Sequence, residues 1–211
     1  MEIVSFDELN STQLYLIDKI KSKEYKSPIV VIADNQTSGI GSRENSWCAC
    51  KGDLLFSFAL PFKLLPDDLP MESISIYFAF IMKEVLSHYD NRVFLKWPND
   101  FYVQDSKVGG CVTKVIDKDI IVGIGINLVD CNREYTYLNI PQKPYEIVTN
   151  YLLKLKEMPS WKYIFSKYQV EFNLNKEFDC YIDGDKKSFK NATLCSDGSI
   201  IIDNRKVYSL R

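Results

Sequence analysis

The order of hydrophobic and polar positions along the chain predicts a mixture of helices and strands. Continuous apolar runs at residues 29–33 and 54–60 are typical of short, fully buried strands. Four sets of apolar residues at helical spacing predict helices: Leu14, Leu16, Ile17 and Ile20; Ile74, Phe78, Ile81 and Val85; Ile147, Val148, Tyr151, Leu152 and Leu155; Trp161, Ile164, Phe165, Tyr168 and Phe172. Further strands are predicted at 93–97, 101–103, 108–116 and 120–128. This combination predicts an α+β fold, a mixed sheet with flanking helices.

Local start and turn signals support these elements. Ser11 or Asn10 can cap the first helix, and Pro70 stands where the second helix is introduced. Asp117-Lys118-Asp119 predicts a tight turn between the last two strands of the series, because short acidic side chains suit turn positions.

The composition changes after about residue 174, where short strand-like runs begin. They cover residues 178–182, 188–194 and 200–207, and the turn-forming segments Asp183-Gly184-Asp185 and Ser196-Asp197-Gly198 separate them. We therefore predict two domains, a main domain over 1–174 and a small all-β domain over 175–211. The second domain is too short to be stable alone.

Length and charge limit the classes of protein to consider. The chain has 211 residues, a formal net charge of -2 and a pI near 5.6, so it lacks the basic surface typical of nucleic-acid binding. There is no run of 18 apolar residues, and the first residues lack the basic and apolar regions of a signal peptide. We expect a cytoplasmic protein that binds neither nucleic acid nor a membrane.

Six cysteines and one histidine give no metal signature. The cysteines show no pair at the spacing typical of zinc sites, and His88 is the only histidine. In a reducing compartment all six cysteines are expected to be free thiols that pack as small hydrophobic residues. His88 has no recognisable catalytic partner, which argues against nucleophilic catalysis by a Ser-His or Cys-His pair.

The strongest chemical feature of the chain is a polar segment beside two glycines. It consists of Lys96-Trp97-Pro98-Asn99-Asp100, followed by Lys107-Val108-Gly109-Gly110. Pro98 biases Trp97 toward extended backbone, so a strand gives way to a turn here. The polar groups would then gather at one end of a sheet. Lysine beside closely approachable backbone suits phosphate or carboxylate chemistry, although a plain polar hairpin on the surface also fits these residues.

Three other segments complete a pattern with this one. They are Asn10-Ser11-Thr12-Gln13, residues 36–47 after an apolar strand, and Gly123-Ile124-Gly125-Ile126-Asn127. In this order the four segments resemble the biotin protein ligase family, and the similarity extends over nearly the whole chain. The resemblance implies a class II synthetase-like catalytic domain followed by a small SH3-like β-barrel.

The resemblance also implies an activity, the ATP-dependent joining of biotin to a lysine of a biotin carboxyl carrier protein. Biotin would first react with ATP, in the presence of Mg²⁺, to form biotinyl-5′-adenylate. Carboxylate and α-phosphate are both anions, so fixed cations and backbone N–H groups must offset their repulsion. A lipoate or octanoate protein ligase or transferase is one alternative, and a non-catalytic sensor of biotin or its adenylate is another.

Individual positions take their expected roles from the same resemblance. Lys107 would stand between the two anions, and Asp100 would help to bind the acceptor lysine or a metal ion. The expected biotin-binding residues are Ser11, Thr12, Gln13, Gln36, Gly39, Ile40, Gly41, Ser42, Lys107, Gly109, Gly123 and Gly125. The expected ATP- or adenylate-binding residues are Arg43, Asn45, Trp47, Lys96, Asn99, Lys107 and Asn127. Hydroxyl and amide groups suit the ureido ring of biotin, which has both donors and an acceptor.

Each of these roles has a simpler structural alternative. Ser11 is also a plausible helix cap, Asp100 a turn-capping residue and Trp47 a core residue. Glycine inside a strand is unfavourable unless another group approaches closely, and for Gly123 and Gly125 we expect that group to be biotin.

The chain departs from the family in the loop after the strand at 29–33. Where relatives have arginines, this chain has Ile40 and Ser42, neither of which supplies a charge. Arg43 is one position further on, and its guanidinium is the candidate replacement. The similarity begins about ten residues from Met1, so we expect neither a helix-turn-helix domain nor DNA-binding repressor function. The sequence leaves open whether the chain forms a homodimer through its sheet edges, an arrangement that is common among members of the family it resembles.

Overall fold

A seven-stranded mixed sheet is the centre of the computed structural model, which describes residues 1–41, 45–131 and 136–208. In chain order the elements are β1 (Glu2–Phe6), α1 (Thr12–Lys21), β2 (Ile29–Ala33), β3 (Gly39–Ile40), β4 (Ser46–Trp47), β5 (Leu54–Pro61), α2 (Ile74–Leu86), β6 (Val93–Lys96), β7 (Asp100–Val103), β8 (Ser106–Ile116), β9 (Asp119–Ile126), α3 (Pro144–Leu155), α4 (Trp161–Glu171), β10 (Asp179–Ile182), β11 (Asp185–Ser188), β12 (Thr193–Leu194), β13 (Ile200–Ile202) and β14 (Arg205–Val207). The strands of the large sheet lie in the order β1-β2-β5-β9-β8-β7-β6. β1 and β2 are parallel, whereas the other neighbouring pairs are antiparallel. The predicted mixed sheet is therefore confirmed.

Helices flank this sheet on both sides. α1 packs against β2, β5 and β9 through the buried side chain of Leu16, and α2 packs against β6 and β8. α3 and α4 contact α2, so α2 is enclosed between the sheet and two helices. This position explains its sequence, because an enclosed helix is apolar on most sides and every residue from Ile74 to Met82 is buried. Across the described parts of the chain, none of the helices is both long and apolar enough to traverse a lipid bilayer.

Local sequence signals act where they were expected. The Ser11 hydroxyl accepts a hydrogen bond from the backbone N–H of Leu14 at 3.3 Å and so caps α1. Asp117 adopts a left-handed conformation with φ of 51° in the tight turn between β8 and β9. β1 was not predicted from its sequence, since this edge strand has no buried residue and lacks the continuous apolar run that marks β2.

The C-terminal region is a set of small sheets, as predicted. β10 and β11 form one hairpin, and β12, β13 and β14 form a three-stranded sheet. The predicted strand over 188–194 is wrong, because a 3₁₀ turn at Phe189–Asn191 interrupts it. Phe189 is fully buried there, with its ring 6.1 Å from the rings of both Trp97 and Phe172. The run 200–207 is likewise a hairpin with left-handed residues at its turn.

The small sheets share one hydrophobic core with the large sheet. Buried residues of the C-terminal region belong to the same cluster as α2 and the strands of the main sheet; they are Ile182, Phe189, Ala192, Ile200 and Ile202. The C-terminal region is therefore packed directly against the main body. The exact division at residue 174 stays a prediction.

A disulfide joins Cys50 and Cys131, although 81 residues separate them in the sequence. Cys50 precedes β5 and Cys131 follows β9, and these strands are antiparallel neighbours in which Leu54 pairs with Ile126. Their ends therefore bring the two cysteines together. The expectation that all six cysteines are free thiols is wrong for this pair, because short-range spacing carries no information about a contact made through strand pairing.

Candidate active site

The predicted site residues converge on a cavity where the N-terminus of α1 meets β5, β8 and β9. We call it the main cavity; its lining residues are Ser11, Thr12, Gln13, Gln36, Ile40, Gly41, Trp47, Phe56, Ser57, Asn99, Asp100, Lys107, Gly110, Cys111, Val112, Gly123, Ile124 and Gly125. Most of the residues expected from the sequence to bind biotin are among them. The cavity thus gathers short segments from distant parts of the chain.

One part of the main cavity, which we call the neutral end, is built from uncharged polar side chains: Ser11, Thr12, Gln13, Gln36 and Ser57. The Gln36 side-chain oxygen accepts hydrogen bonds from the Thr12 backbone N–H at 2.7 Å and from the Thr12 hydroxyl at 3.0 Å. The Thr12 hydroxyl is also 2.9 Å from the Ser57 hydroxyl. These bonds fix the polar groups in place before any ligand binds, because the buried oxygens already have partners.

Ser57 is a site residue that the sequence interpretation missed. It is fully buried in β5, where its neighbours in the sequence are apolar. The available signal was that single hydroxyl inside an apolar strand, since a buried hydroxyl needs a hydrogen-bond partner. Here the partner is Thr12.

The opposite part of the main cavity, the charged end, consists of Asp100, Lys107 and Asn99. The Lys107 ammonium and the Asp100 carboxylate form an ion pair at 2.7 Å, and their side chains are 28% and 23% exposed. In the β7–β8 hairpin Asp100 lies opposite Gly110 and Lys107 lies opposite Tyr102, so the lysine side chain reaches along the sheet to the carboxylate. Gly110 leaves room for this contact, since an added Cβ there would be 3.4 Å from the Asp100 Oδ1 and 3.8 Å from the Lys107 Cε. The expected gathering of these residues is observed, and the two charges that were assigned separate roles bind each other.

Asn99 adds an unpaired acceptor to the charged end. The side-chain N–H₂ of Asn99 donates to the Cys111 backbone carbonyl. The backbone carbonyl of Asn99 accepts a hydrogen bond from the Cys111 N–H at 2.9 Å. The residue is only 1% exposed, yet its side-chain oxygen has no hydrogen-bond partner among the described residues. A buried oxygen of this kind is suited to accept a hydrogen bond from a ligand.

Cys111 lines the same cavity but is not suited to nucleophilic chemistry. Burial raises the pKa of its thiol, and the negative charge of Asp100 raises that pKa further. The thiol therefore stays protonated at neutral pH, whereas the thiolate is the nucleophilic form.

The expected ligand loop forms two short antiparallel strands. β3 pairs with β4 so that Gly39 lies opposite Trp47, and the Gly41 N–H donates to the Asn45 carbonyl at 2.7 Å. A Cβ atom on Gly39 would lie 2.8 Å from the Trp47 carbonyl oxygen, so this glycine is required by packing within the loop. Ser42 and Arg43, which were expected to contact biotin and the adenylate, lie outside the described residues.

Trp47 separates the main cavity from a second cavity, which we call the outer cavity. The outer cavity measures about 340 Å³ and its lining residues are Gly41, Asn45, Ser46, Trp47, Cys48, Lys107 and Asn127. The Trp47 indole lies directly on Gly125, where an added Cβ would be 2.8 Å from the ring. The close approach that Gly125 permits is therefore made by this ring. For Gly123 the approaching group is the Gln13 side chain, 3.3 Å from an added Cβ.

Asn127, Lys96 and Gly109 occupy different positions relative to the cavities. Asn127 lines the outer cavity and its side chain donates to the Thr136 carbonyl at 2.9 Å. Lys96 and Gly109 line neither cavity. The Lys96 ammonium lies 4.8 Å from the Tyr102 ring centre and 5.2 Å from that of Phe178, and burial lowers its pKa. Gly109 is a packing glycine, since an added Cβ would be 2.6 Å from the Gly125 carbonyl oxygen.

The chain belongs to the biotin/lipoate A/B protein ligase family, whose sequence model matches residues 5–129. The family resemblance drawn from the sequence is thereby confirmed. A crystal structure of biotin acetyl coenzyme A carboxylase synthetase from Helicobacter pylori with bound biotinylated ATP is 40% identical in sequence. It superposes with a TM-score of 0.93 and covers 98% of this chain and 99% of that one.

Two curated relatives also carry ligase names. The bifunctional ligase/repressor BirA of Escherichia coli is 31% identical over 137 residues, which are 62% of this chain and 42% of that protein. Biotin–protein ligase 2 of Arabidopsis thaliana is 32% identical over 159 residues, which are 70% of this chain and 46% of that protein. The chain therefore spans less than half the length of these two relatives.

Proposed function

We propose that this chain is an ATP-dependent ligase that activates biotin as biotinyl-5′-adenylate and transfers it to a lysine of a biotin carboxyl carrier protein. The observation that carries the proposal is the arrangement of the two cavities. They share Gly41, Trp47 and Lys107, so a ligand in each would meet at a lysine. The Helicobacter pylori relative, which matches along almost its entire length, is described with biotinylated ATP.

The neutral end suits the ureido ring of biotin. That ring presents two N–H donors and a carbonyl acceptor, and Ser11, Thr12, Gln36 and Ser57 present hydroxyl and amide groups. These groups are held in place by one another, so an analogue that lacks the ring would displace water from them without forming new hydrogen bonds and would bind less tightly. The valeryl chain of biotin would run from the neutral end toward Lys107.

The outer cavity suits the nucleotide. Trp47 offers an aromatic face to the adenine, and Asn45 and Asn127 offer amide groups at the rim. Lys107 lies at the boundary, where the biotin carboxylate and the α-phosphate would approach each other. Its positive charge offsets their repulsion, a stabilisation that grows as charge develops in the transition state.

Two bond exchanges complete the reaction. In the first, a carboxylate oxygen of biotin attacks the α-phosphorus of ATP and the bond to pyrophosphate breaks, which leaves biotinyl-5′-adenylate. In the second, the uncharged ε-amine of the acceptor lysine attacks the acyl carbon, AMP leaves, and the amine loses a proton as the amide forms. Asp100 stands beside the reacting position and attracts the cationic acceptor side chain before it reacts.

Mg²⁺ would arrive with the ATP phosphates and supply further positive charge there. Asp100 is the only carboxylate among the described residues that line the two cavities. Within the described ranges no group of three or more His, Cys, Asp or Glu side chains is placed to hold a metal ion. One carboxylate together with phosphate oxygens and water matches the way Mg²⁺ is commonly bound.

The test is exchange of radioactive pyrophosphate into ATP by the purified protein, with biotin, lipoate or octanoate added separately. We expect exchange that depends on biotin, and biotin labelling of a carboxyl-carrier domain when one is supplied. Exchange with lipoate or octanoate but not with biotin would make the chain a ligase for those acids. Tight binding of biotin without exchange would make it a sensor.

A further inference from the structure

The edge of the large sheet ends at β6, and side chains bind the outer backbone groups of that strand. The Leu95 N–H donates to a carboxylate oxygen of Glu171 at 2.7 Å, and the Leu95 carbonyl accepts from the Asn175 side-chain N–H₂ at 3.1 Å. Exposed edges of sheets normally present such groups to solvent. Here residues from α4 and the 3₁₀ turn that follows it take the place of a further strand.

Asn175 supplies most of the side-chain hydrogen bonds that take the place of a further strand. Besides its bond to Leu95, its side-chain oxygen accepts a hydrogen bond from the Trp97 N–H at 2.6 Å. The residue is completely buried. A side-chain amide has one donor group and one acceptor group in a fixed arrangement, so it reproduces the pairing of a backbone peptide group. Both bonds hold the strand at the point where it enters the turn of the charged end.

The turn held in this way carries the reacting residues. Trp97 is followed by Pro98, Asn99 and Asp100, and Asp100 forms the ion pair with Lys107. The Trp97 indole N–H also donates to the Gly198 carbonyl at 2.9 Å. The outer side of the turn is thus fixed by residues 175 and 198, which lie beyond α4 and contact neither cavity.

We propose that Asn175 is a positioning residue for adenylate formation, because its amide holds the 95–97 backbone and thereby sets the place of Asn99 and Asp100 opposite Lys107. The inference rests on the proposed function, since it names a determinant of that reaction. It predicts a defect in the chemical step with little change in biotin binding. The neutral end is carried by α1, β2 and β5, which do not include the 95–97 segment.

The test compares Asn175→Asp with the control Asn173→Asp. Asn175→Asp retains size and the acceptor for Trp97 but replaces the donor for the Leu95 carbonyl with an oxygen. Asn173 is an exposed asparagine of the same 3₁₀ turn whose side chain donates to the Val170 carbonyl, so its variant makes the same charge change outside the strand edge. For each protein the folded fraction, the biotin Kd by calorimetry and the kcat of biotin-dependent pyrophosphate exchange are measured.

For Asn175→Asp we expect kcat per folded molecule to fall by roughly 10–100-fold, the scale known for small misplacements of reacting groups. Its biotin Kd should stay within about twofold of the wild type, as for sites that do not share contacts. Asn173→Asp should match the wild type in both. Asn175→Ala introduces no charge and removes both side-chain bonds to the 95–97 backbone, so it should lower kcat in the same selective way if Asn175→Asp does not fold.

Two results would overturn the inference while leaving the proposed function intact. One is wild-type kcat per folded molecule in Asn175→Asp, or in Asn175→Ala where the first variant does not fold. The other is a loss of biotin affinity equal to the loss of kcat. Wild-type protein that shows no biotin-dependent exchange would instead overturn the proposed function, and this inference with it.

Discussion

The two ends of the main cavity are built on different physical principles. At the neutral end Thr12 and Ser57 are 3% and 0% exposed, and the Thr12 hydroxyl is bonded both to the Ser57 hydroxyl and to the Gln36 side-chain oxygen. At the charged end Lys107 and Asp100 are partly exposed and are paired with each other, while the Asn99 oxygen has no partner among the described residues. The hydrogen-bonding groups of the neutral end therefore already have partners, whereas the charged end contains an acceptor without one.

This difference indicates how each end responds to a ligand. A network of neutral, buried hydrogen bonds is pre-organised, so it contributes selectivity at little cost of rearrangement. An ion pair that faces solvent can exchange partners, because its net contribution to stability is small. In the proposed reaction Lys107 would turn from Asp100 to a carboxylate and a phosphate, and Asp100 would then be released to attract the acceptor lysine. We expect changes at the neutral end to alter affinity and changes at the charged end to alter rate.

The largest expected effect concerns the disulfide, which joins the loops that carry the outer cavity. Cys50 follows the β4 loop of Trp47, and Cys131 follows the segment of Asn127. The closed loop is long, so replacing both cysteines with alanine should lower the free energy of unfolding by about 2–4 kcal/mol. Denaturant unfolding with and without dithiothreitol measures this.

Cys195→Ala is the matched control for this prediction, because Cys195 is outside the disulfide. That variant should lose stability on adding dithiothreitol as the wild type does, whereas the double alanine variant should not respond. Equal stability of the wild type with and without the reductant would show that the disulfide contributes nothing.

The next largest effect should come from Lys107→Ala at the charged end. Removing the cation between two anions should reduce biotin-dependent pyrophosphate exchange by at least about a hundredfold, the scale for losing one pre-organised charged contact. The protein should stay folded, because the ion pair with Asp100 is partly exposed. Lys114→Ala, which alters an exposed lysine on the same strand β8, should exchange normally. Exchange close to normal in Lys107→Ala would exclude that lysine from the mechanism.

Two glycines of β9 allow the neutral end to be compared with the outer cavity within one strand. A methyl group at Gly125 would displace the Trp47 ring, from which it would be 2.8 Å away. Overpacking of this kind costs about 1–3 kcal/mol, so Gly125→Ala should raise the KM for ATP by roughly tenfold or more. Gly123→Ala meets Gln13 at 3.3 Å and should chiefly weaken biotin binding. Steady-state kinetics and calorimetry separate the two, and equal effects of both variants on both ligands would remove the distinction.

Features that depend on short stretches of sequence were predictable. The charged end is an example, because Asp100 and Lys107 belong to consecutive strands of one hairpin, in which Asp100 pairs with Gly110 and Lys107 with Tyr102, and the long lysine side chain spans the short distance between them. The cap formed by Ser11 and the strand β2 are others, since each follows from residues adjacent in the chain.

Features that depend on contacts between distant segments were not predictable. Nothing near Ser57 indicates that Thr12 will face it, and nothing near Cys50 indicates Cys131. At Gly125 the sequence predicted a close contact but not the group that makes it. Glycine indicated that a group lies close to the strand, which is correct, but the group is the side chain of Trp47, supplied by a segment far away in the sequence.

The smallest expected effect is at the neutral end, where Thr12→Val keeps the shape of the side chain and removes its hydroxyl. Ser57 then loses its partner, and Gln36 retains only the bond from the Thr12 backbone. The loss of one buried hydrogen-bonding group should weaken biotin binding by about tenfold. At saturating biotin the exchange rate should stay within about twofold of the wild type, because the charged end is unchanged. Thr37→Val removes an exposed hydroxyl that donates to Asn10 and should leave both quantities unaltered. If Thr12→Val lowered kcat while the biotin Kd stayed the same, the neutral end would be acting in the reaction itself, and the division between the two ends would be wrong.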